Sequence, residues 1–366
     1  MRKISKFILM FCLILTLTCI CTLDNSTSYA ASDFQIKNGV LLKYNGTSSN
    51  VTIPSNVKTI GEQAFSYNYN IKNITIPNSV KTIKDSAFFC SSLETVSIPK
   101  SVTHIGNAVF TRCYNLKNIK VSSANKNYCS VKGSLFNKSK TRIMNYADGY
   151  NLTSYTIPST VTTIDAYAFA YTNLERINLP QKLKTIGNYA FAKNDSLKYL
   201  KIPEGVKKLH SGTFFLCRNL DYVQIPESLT YIEKGTFDDC GFWVNLTDIK
   251  GYTGSYAQTF AKNNNLKFIS IGIGKVTNLK TTSRTNSSIT LSWKKISGVS
   301  GYEIYRSTSK NKNYKKIATI NNSKNTFKDS SLSKNKTYYY KVRAYKTSNG
   351  KKVYGSYSSV KSTSLK

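Results

Sequence analysis

The sequence predicts a β-rich protein in two parts: a curved solenoid of 22–23-residue repeats with short return segments, then a seven-stranded β-sandwich. Three observations predict it. All seven prolines occupy one place of a recurring unit: Pro54, Pro77, Pro99, Pro158, Pro180, Pro203 and Pro226. Phe65, Phe88, Phe110, Phe169, Phe191, Phe214 and Phe237 keep the same beat. Beyond residue 274 both Pro and Cys disappear, and short runs of alternating character take their place. A fixed period of this length marks a solenoid, in which each unit leans on the next.

The clearest unit runs from Leu93 to Phe110 and reads L-x-x-I-x-I-P-x-x-V-x-x-I-G-x-x-A-F. Its first half sets alternate apolar side chains on one face of a short strand. Proline, lacking an N–H, closes the strand, and the Val, Ile, Ala and Phe that follow bring the chain back beneath it. A single unit leaves its apolar face wet, so the array is the folding unit. At these residues the chain resembles the BspA-like bacterial leucine-rich repeats, which carry I/L-P after the strand and I-G-x-x-A-F in the return. The resemblance covers about residues 34–271. It implies a surface or extracellular role and adhesion to host matrix proteins or other cells.

Taken in order, the chain begins with Arg2, Lys3 and Lys6 ahead of the apolar run Phe7–Cys21, and Ser28-Tyr29-Ala30 places small residues where a signal peptidase reads. Residues 1–30 are therefore expected to be a secretory signal peptide. No later stretch is apolar enough for a transmembrane span, which takes ~20 apolar residues. Residues 31–274 form the expected solenoid. It opens on a hairpin cap, signalled by Asn38-Gly39 between apolar strands. Between Val121 and Ile157 the beat stretches, and Val131–Phe136 echoes that hairpin as part of an irregular repeat. The array closes with an atypical unit, Trp243–Tyr252, and a short helix. A capping box opens that helix, Ser255 accepting from the third helical amide and Gln258 reaching back. A last strand, Leu266–Ile271, completes the C-terminal cap, and Ile271–Gly274 is expected to be a linker.

Residues 275–366 contain the strand-like runs Ser288–Trp293, Gly301–Arg306 and Thr337–Tyr345. Strands at this spacing indicate a sandwich. These segments resemble a fibronectin type III domain, with Trp293 as the core tryptophan and Tyr338 as the tyrosine of the E–F corner, both packing residues. In the last run Tyr338, Tyr340, Val342 and Ala344 share one face, and Tyr339, Lys341, Arg343 and Tyr345 the other. The tip Lys346–Lys352 carries no R-G-D.

Five cysteines follow residue 30: Cys90, Cys113, Cys129, Cys217 and Cys240. An odd number argues against a disulfide framework. Cys90, Cys113 and Cys217 stand three residues before Leu93, Leu116 and Leu220, where Asn68 and Asn194 stand in other repeats. In leucine-rich repeats a buried Asn or Cys at that place serves the turn backbone. Bridges from Cys90 to Cys113 or from Cys217 to Cys240 are the alternative. His104 and His210 occupy unrelated repeat positions, and no metal-ligand or nucleophile spacing occurs. No catalytic, metal or cofactor residue is therefore expected, and the chain reads as no enzyme; an unrecognised extracellular hydrolase is the outlying alternative.

What remains is surface. The third and fifth positions of L-x-x-I-x-I point away from the core, along the inner curve of the solenoid. They are plain in the N-terminal half, and basic and aromatic in the C-terminal half. The expected binding residues are Lys120, Arg176, Asn178, Tyr199, Lys201, Tyr222 and Gln224. Concave solenoid faces bind partners, and Tyr with Arg is the composition of interface anchors; tyrosines merely stacked on one another are the alternative. Charge is the second clue. Residues 275–366 hold 21 basic and two acidic side chains, for +19, while residues 31–274 hold 28 and 15, for +13. Such a field holds anionic polymers in a salt-dependent way; solubility is the competing reading. The sequence thus predicts a secreted, non-enzymatic binding protein, a surface-associated adhesin. Its solenoid would take an extracellular protein or glycan ligand, and its basic domain an anionic cell-wall polymer or cell-surface glycan. Nucleic acid is a minor partner for an exported chain. The alternative is a wall-polymer binding or structural protein of the producing cell.

Overall fold

The computed structural model describes residues 33–149, 151–240, 248–348 and 350–365. The expected signal peptide and residues 243–247 of the atypical unit lie outside the described residues.

The L-x-x-I-x-I segments form the expected parallel strands. Asn50–Thr52, Asn73–Thr75, Thr95–Ile98 and Asn118–Val121 make one sheet. Ser154–Thr156 pairs with Arg176–Asn178, and Tyr199–Lys201, Tyr222–Gln224, Asp248–Thr253 and Phe268–Ile273 make a third sheet. Registers are in step, with Asn50 opposite Asn73 and Asn73 opposite Thr95. Equivalent side chains therefore stand in columns, and the middle residue of each strand is buried while its neighbours face outward.

The return segments do more than cover the strands. In each, two residues form a second parallel ladder, from Thr59–Ile60 through Thr82–Ile83 to His104–Ile105, and again from Thr163–Ile164 to Thr185–Ile186. Short polar-apolar pairs such as Thr-Ile leave too little periodicity to read as strands alone. The turn around each Phe contains two left-handed residues, two before and two after it: Gln63 and Tyr67 flank Phe65, and Tyr189 and Lys193 flank Phe191. Such a conformation costs a non-glycine residue roughly 1–2 kcal/mol. Coil-to-coil hydrogen bonds offset it, as in Phe65 N to Ala87 O at 2.7 Å and Phe169 N to Ala190 O at 2.9 Å. Gly187 is required by close approach, since a Cβ there would lie 2.5 Å from the Ala166 amide nitrogen.

Phenylalanine rings stack along the interior. Phe65, Phe88 and Phe110 follow one another at 5.0 and 5.4 Å, and Phe169, Phe191, Phe214 and Phe237 at 5.8, 5.8 and 5.2 Å. Tyr44 and Tyr146 begin the two runs. The break between them is the irregular repeat, where Tyr128–Val131, Ser134–Asn137 and Arg142–Asn145 pair antiparallel before the last of these joins Thr163–Ile164 in parallel. Leu135 packs into the N-terminal core and Phe136 into the C-terminal one. Alternation along one strand thus seals both cores with consecutive residues. The Tyr128 hydroxyl closes the interrupted return ladder, accepting from Ile105 N at 3.0 Å and donating to Thr103 O at 3.2 Å. Tyr256 does the same at the C-terminal end, accepting from Ile232 N at 3.3 Å.

Three expectations are corrected. Cys90 does not occupy the inward place taken by Cys113 and Cys217. That place is three residues after Phe: Cys113, Cys217 and Cys240 donate to the carbonyls of Phe88, Phe191 and Phe214 at 3.1, 3.0 and 2.7 Å. Asn194 donates to both Phe169 O and Phe191 O at 2.7 Å. The repeat holding Cys90 is shorter by one residue between Phe88 and Leu93, so Ser91 takes the place and contacts Cys113 Sγ at 3.3 Å. All five described cysteines are free thiols. Second, the capping box of the Tyr256–Asn263 helix is half-formed: the Ser255 side chain makes no cap hydrogen bond, and Gln258 Oε1 accepts from Gly254 N at 2.6 Å. Third, the expected linker is largely strand. Phe268–Ile273 pairs with Asp248–Thr253, and Ile273 is buried in the core of the sandwich. Gly355 meets that strand end so closely that a Cβ would fall 2.7 Å from Gly274 O.

The sandwich has a smaller sheet of Lys280–Arg284, Ile289–Ser292 and Thr326–Asp329. Its larger sheet holds Lys315–Asn321, Gly301–Ser307, Thr337–Ser348 and a final strand split into Lys351–Tyr354 and Lys361–Ser364. Trp293 lies in the core, edge-on to Tyr302 at 5.3 Å. The Tyr338 hydroxyl accepts from Ser333 N at 2.9 Å, which is the corner the sequence predicted.

Candidate binding surface

The outward columns of the strand ladder divide by chemistry. In the N-terminal half the polar side chains bond one another: Asn73 Nδ2 donates to Asn50 Oδ1 and Thr95 Oγ1 to Asn73 Oδ1, each at 3.0 Å. Their hydrogen-bonding capacity is partly spent within the ladder. In the C-terminal half, Tyr199 and Tyr222 stand opposite in register and stack at 5.3 Å with an interplanar angle of 10°. Opposite Tyr222 the next strand places Asp248, which Lys267 pairs at 3.0 Å, while Lys250, opposite Gln224, reaches across so that its ammonium lies 3.3 Å from the centre of the Tyr222 ring. The sequence reading missed Lys250 because its repeat is atypical; the alternation Asp248-Ile249-Lys250 was the available signal. Ring quadrupole and ammonium attract, by ~0.5–1 kcal/mol at exposed sites.

Tyr222 is therefore covered on one side by Tyr199 and on the other by Lys250. Tyr199 ends the column, with 36% of its surface exposed. Lys201, Gln224 and Lys250 stand in register beside the rings. Of the seven expected residues, the structure brings together Tyr199, Lys201, Tyr222 and Gln224. Arg176 and Asn178 belong to the preceding two-stranded sheet, and Asn178 Nδ2 is engaged by Thr156 Oγ1 at 3.0 Å. Lys120 lies apart, beyond the irregular repeat, where it lines an open groove of about 390 Å³ with Ile74, Ile98 and Val121.

A second concave feature lies at the break in the phenylalanine stack. Phe110, Arg112, Tyr146 and Asp148 line a cavity of about 10 Å³, the size of one water. Among the described residues Asp148 Oδ1, the Tyr146 hydroxyl and Thr111 Oγ1 find no hydrogen-bond partner. Burial lifts the Asp148 carboxyl to about 6, and the Asn173 amide pulls it partway back. Burial likewise raises the inward thiols, Cys113 to about 11 and Cys240 to about 12, which makes them inert packing groups. His210 lies 3.6 Å from Glu233, and among the described residues no three His, Cys, Asp or Glu side chains converge on a metal site.

The profile of the BspA type leucine rich repeat region matches in six copies, over residues 36–149, 141–267 and 196–297. The chain belongs to the BspA-type leucine-rich repeat family. This BspA-type protein also matches the fibronectin type III domain, over residues 274–359. Both are families of binding or structural domains. Among solved structures it is similar to a leucine rich cell surface protein from Faecalibacterium prausnitzii A2-165, with 29% identity over 58% of this chain and 62% of that one and a TM-score of 0.44. The chain thus spans under two thirds of that relative's length. It is also similar to the pneumococcal vaccine antigen PcpA, with 21% identity over 62% of this chain and 67% of that one and a TM-score of 0.41. A leucine-rich repeat protein from Eubacterium ventriosum ATCC 27560 matches at 23% identity, over 65% and 80% of the two chains, with a TM-score of 0.39. A search of curated proteins finds no match. No helix among the described residues is long and apolar enough to cross a membrane.

Proposed function

We propose that this BspA-type protein is a secreted, non-enzymatic, surface-associated adhesin whose solenoid binds an extracellular protein or glycan through the Tyr199–Tyr222 column and the Lys250 ammonium beside it. That column is the observation carrying the reading. It presents rigid aromatic area and cations together, where the N-terminal columns present a ladder bonded to itself. Rigid tyrosines give contact area at low entropic cost. Arg176 and Lys201 extend the same face and would meet acidic or hydroxyl-rich groups of the ligand. The basic sandwich helps to hold the protein at an anionic surface.

The test is adhesion of the mature chain to host-type matrix and to producing cells, beside a Tyr199→Ala/Tyr222→Ala double variant and an Asn73→Ala/Thr95→Ala control on the N-terminal sheet of the solenoid. Loss of matrix adhesion by at least tenfold in the first variant only is the expected result. Equal adhesion of all three chains would refute the column as the site. A second reading, wall-polymer binding with no host partner, is favoured by the +19 charge of residues 275–366. It predicts no matrix adhesion at all, with release from producing cells by about 1 M salt, where the screening length falls to roughly 3 Å.

A further inference from the structure

The sandwich contains two acidic side chains, Glu303 and Asp329, and both are buried, at 0% and 6% exposure. Asp329 is consumed on the core side, accepting from Arg306 at 3.0 Å and from the Tyr340 hydroxyl at 2.7 Å. Glu303 lies under the outer face of the larger sheet. Arg343, Lys316 and Lys352 reach it at 2.8, 3.3 and 3.5 Å. Burial by itself would raise its carboxyl, but hydrogen bonds from Arg343, Tyr305 and Lys316 outweigh that and hold it at about 2, so it stays ionised. Among the described residues of the sandwich, no carboxylate side chain is left on the surface to oppose the lysines and arginines.

The cations on that face are also held in place. Arg343 lies 3.7 Å from the centre of the Tyr354 ring and shares Tyr357 with Lys341. Among the described residues Lys341 meets no carboxylate; its ammonium sits 4.0 Å from the Tyr357 ring centre and 4.4 Å from that of Tyr314. One buried carboxylate against Lys316, Lys341, Arg343 and Lys352 leaves three positive charges in one patch. Charge serving solubility alone needs neither rings nor an internal counter-ion to orient it. Fixing the cations beforehand lowers the entropy lost when an anion docks.

We propose that the outer face of the larger sandwich sheet, centred on Lys341 and Arg343, is a built site for a linear phosphodiester polymer of the cell wall. The inference rests on the anionic-surface part of the proposed function and supplies its place and ligand chemistry. Charge complementarity selects the class: repeated single negative charges on a flexible backbone match several fixed cations spread over a sheet. The rings are already covered by cations, which removes the open stacking platforms that single-stranded nucleic acid uses.

The experiment measures binding of the mature chain to fluorescent poly(glycerol phosphate) across a salt series. Lys341→Gln/Lys352→Gln is compared with Lys280→Gln/Lys328→Gln, which removes the same charge from the outer face of the opposite sheet. The first pair is expected to weaken binding about tenfold at 0.1 M salt and to lower the slope of log K against log salt by about two, with the control within twofold of the parent. Lys341→Gln alone, which touches no carboxylate, should give about a threefold loss and guards against misfolding of the double variant. Equal losses in both pairs overturn the site while leaving a diffuse anionic attraction standing. No binding of the parent chain to the polymer or to intact walls overturns both readings. Tighter binding to heparin or to an oligothymidylate than to poly(glycerol phosphate) overturns the ligand class.

Discussion

Replacing Asn194 tests whether hydrogen bonds in the turns, or the phenylalanine stack by itself, hold the coils together. Asn194 is fully buried. Its amide nitrogen donates to Phe169 O and Phe191 O at 2.7 Å each, and its oxygen accepts from the Thr172 hydroxyl. Asn194→Ala strands the Phe169 carbonyl and the Thr172 hydroxyl, while Phe191 O keeps the Cys217 thiol as a donor at 3.0 Å. Unpaired buried groups cost about 1–3 kcal/mol each, and partial relaxation brings the expected loss for these two to about 2–4 kcal/mol. Asn194→Cys keeps the donor to Phe169 O, just as Cys217 donates to the Phe carbonyl of the repeat before it, and leaves only the Thr172 hydroxyl unpaired, so it should cost only about 1–2 kcal/mol. Urea unfolding followed by circular dichroism measures both. Because solenoid coils interact mainly with their neighbours, amide exchange should accelerate around Phe169 and Phe191 while the core around Phe65 and Phe88 keeps its protection. A loss below about 1 kcal/mol for Asn194→Ala, or equal losses for the two variants, would refute the argument and assign the stability of the stack to apolar packing.

Tyr128→Phe removes the hydroxyl that closes the return ladder and leaves the Ile105 amide without its acceptor; a loss of about 1–2 kcal/mol in urea unfolding is expected, and an unchanged midpoint would show that the edge needs no partner. Asp148 gives a pH dependence. Its folded value of about 6 lies above the unfolded one of about 3.9, so the folded chain holds the proton more tightly. Its contribution to stability is complete below about pH 4 and is lost as pH rises to about 6, by roughly 3 kcal/mol at most. The Asp148→Asn variant should show a correspondingly flatter stability profile between pH 4 and 7; a profile parallel to the parent's would show that the carboxyl titrates normally.

The solenoid was legible because its forces are local and repeated. A period carried by Pro, Phe and the I-x-I strand survives any single irregularity, and each unit's apolar face can be buried only by the next. The irregular repeat was visible as a stretch of the beat. That Leu135 and Phe136 would enter different cores was not, because nothing local tells a strand which coil lies on either side. Cys90 was misplaced by counting from the following leucine, since a one-residue deletion shifts register without changing residue type. The half-formed capping box and the loss of the linker share a cause: both lie where the solenoid end meets the sandwich, and tertiary contacts overrode local preference.

At the candidate sites the same division holds. Strand alternation sent Tyr199, Lys201, Tyr222 and Gln224 outward, a consequence of backbone geometry that any reader of the sequence can draw. The coverage of Tyr222 by Lys250 depends on the register between coils. Net charge was a property of the sequence alone. The burial of Glu303 and Asp329, which turns an excess of lysine into a surface of one sign, depended on which strands became neighbours, within the larger sheet for Glu303 and across the sandwich for Asp329. Composition fixes how many charges a chain carries, but only packing decides which of them meet solvent and which neutralise one another.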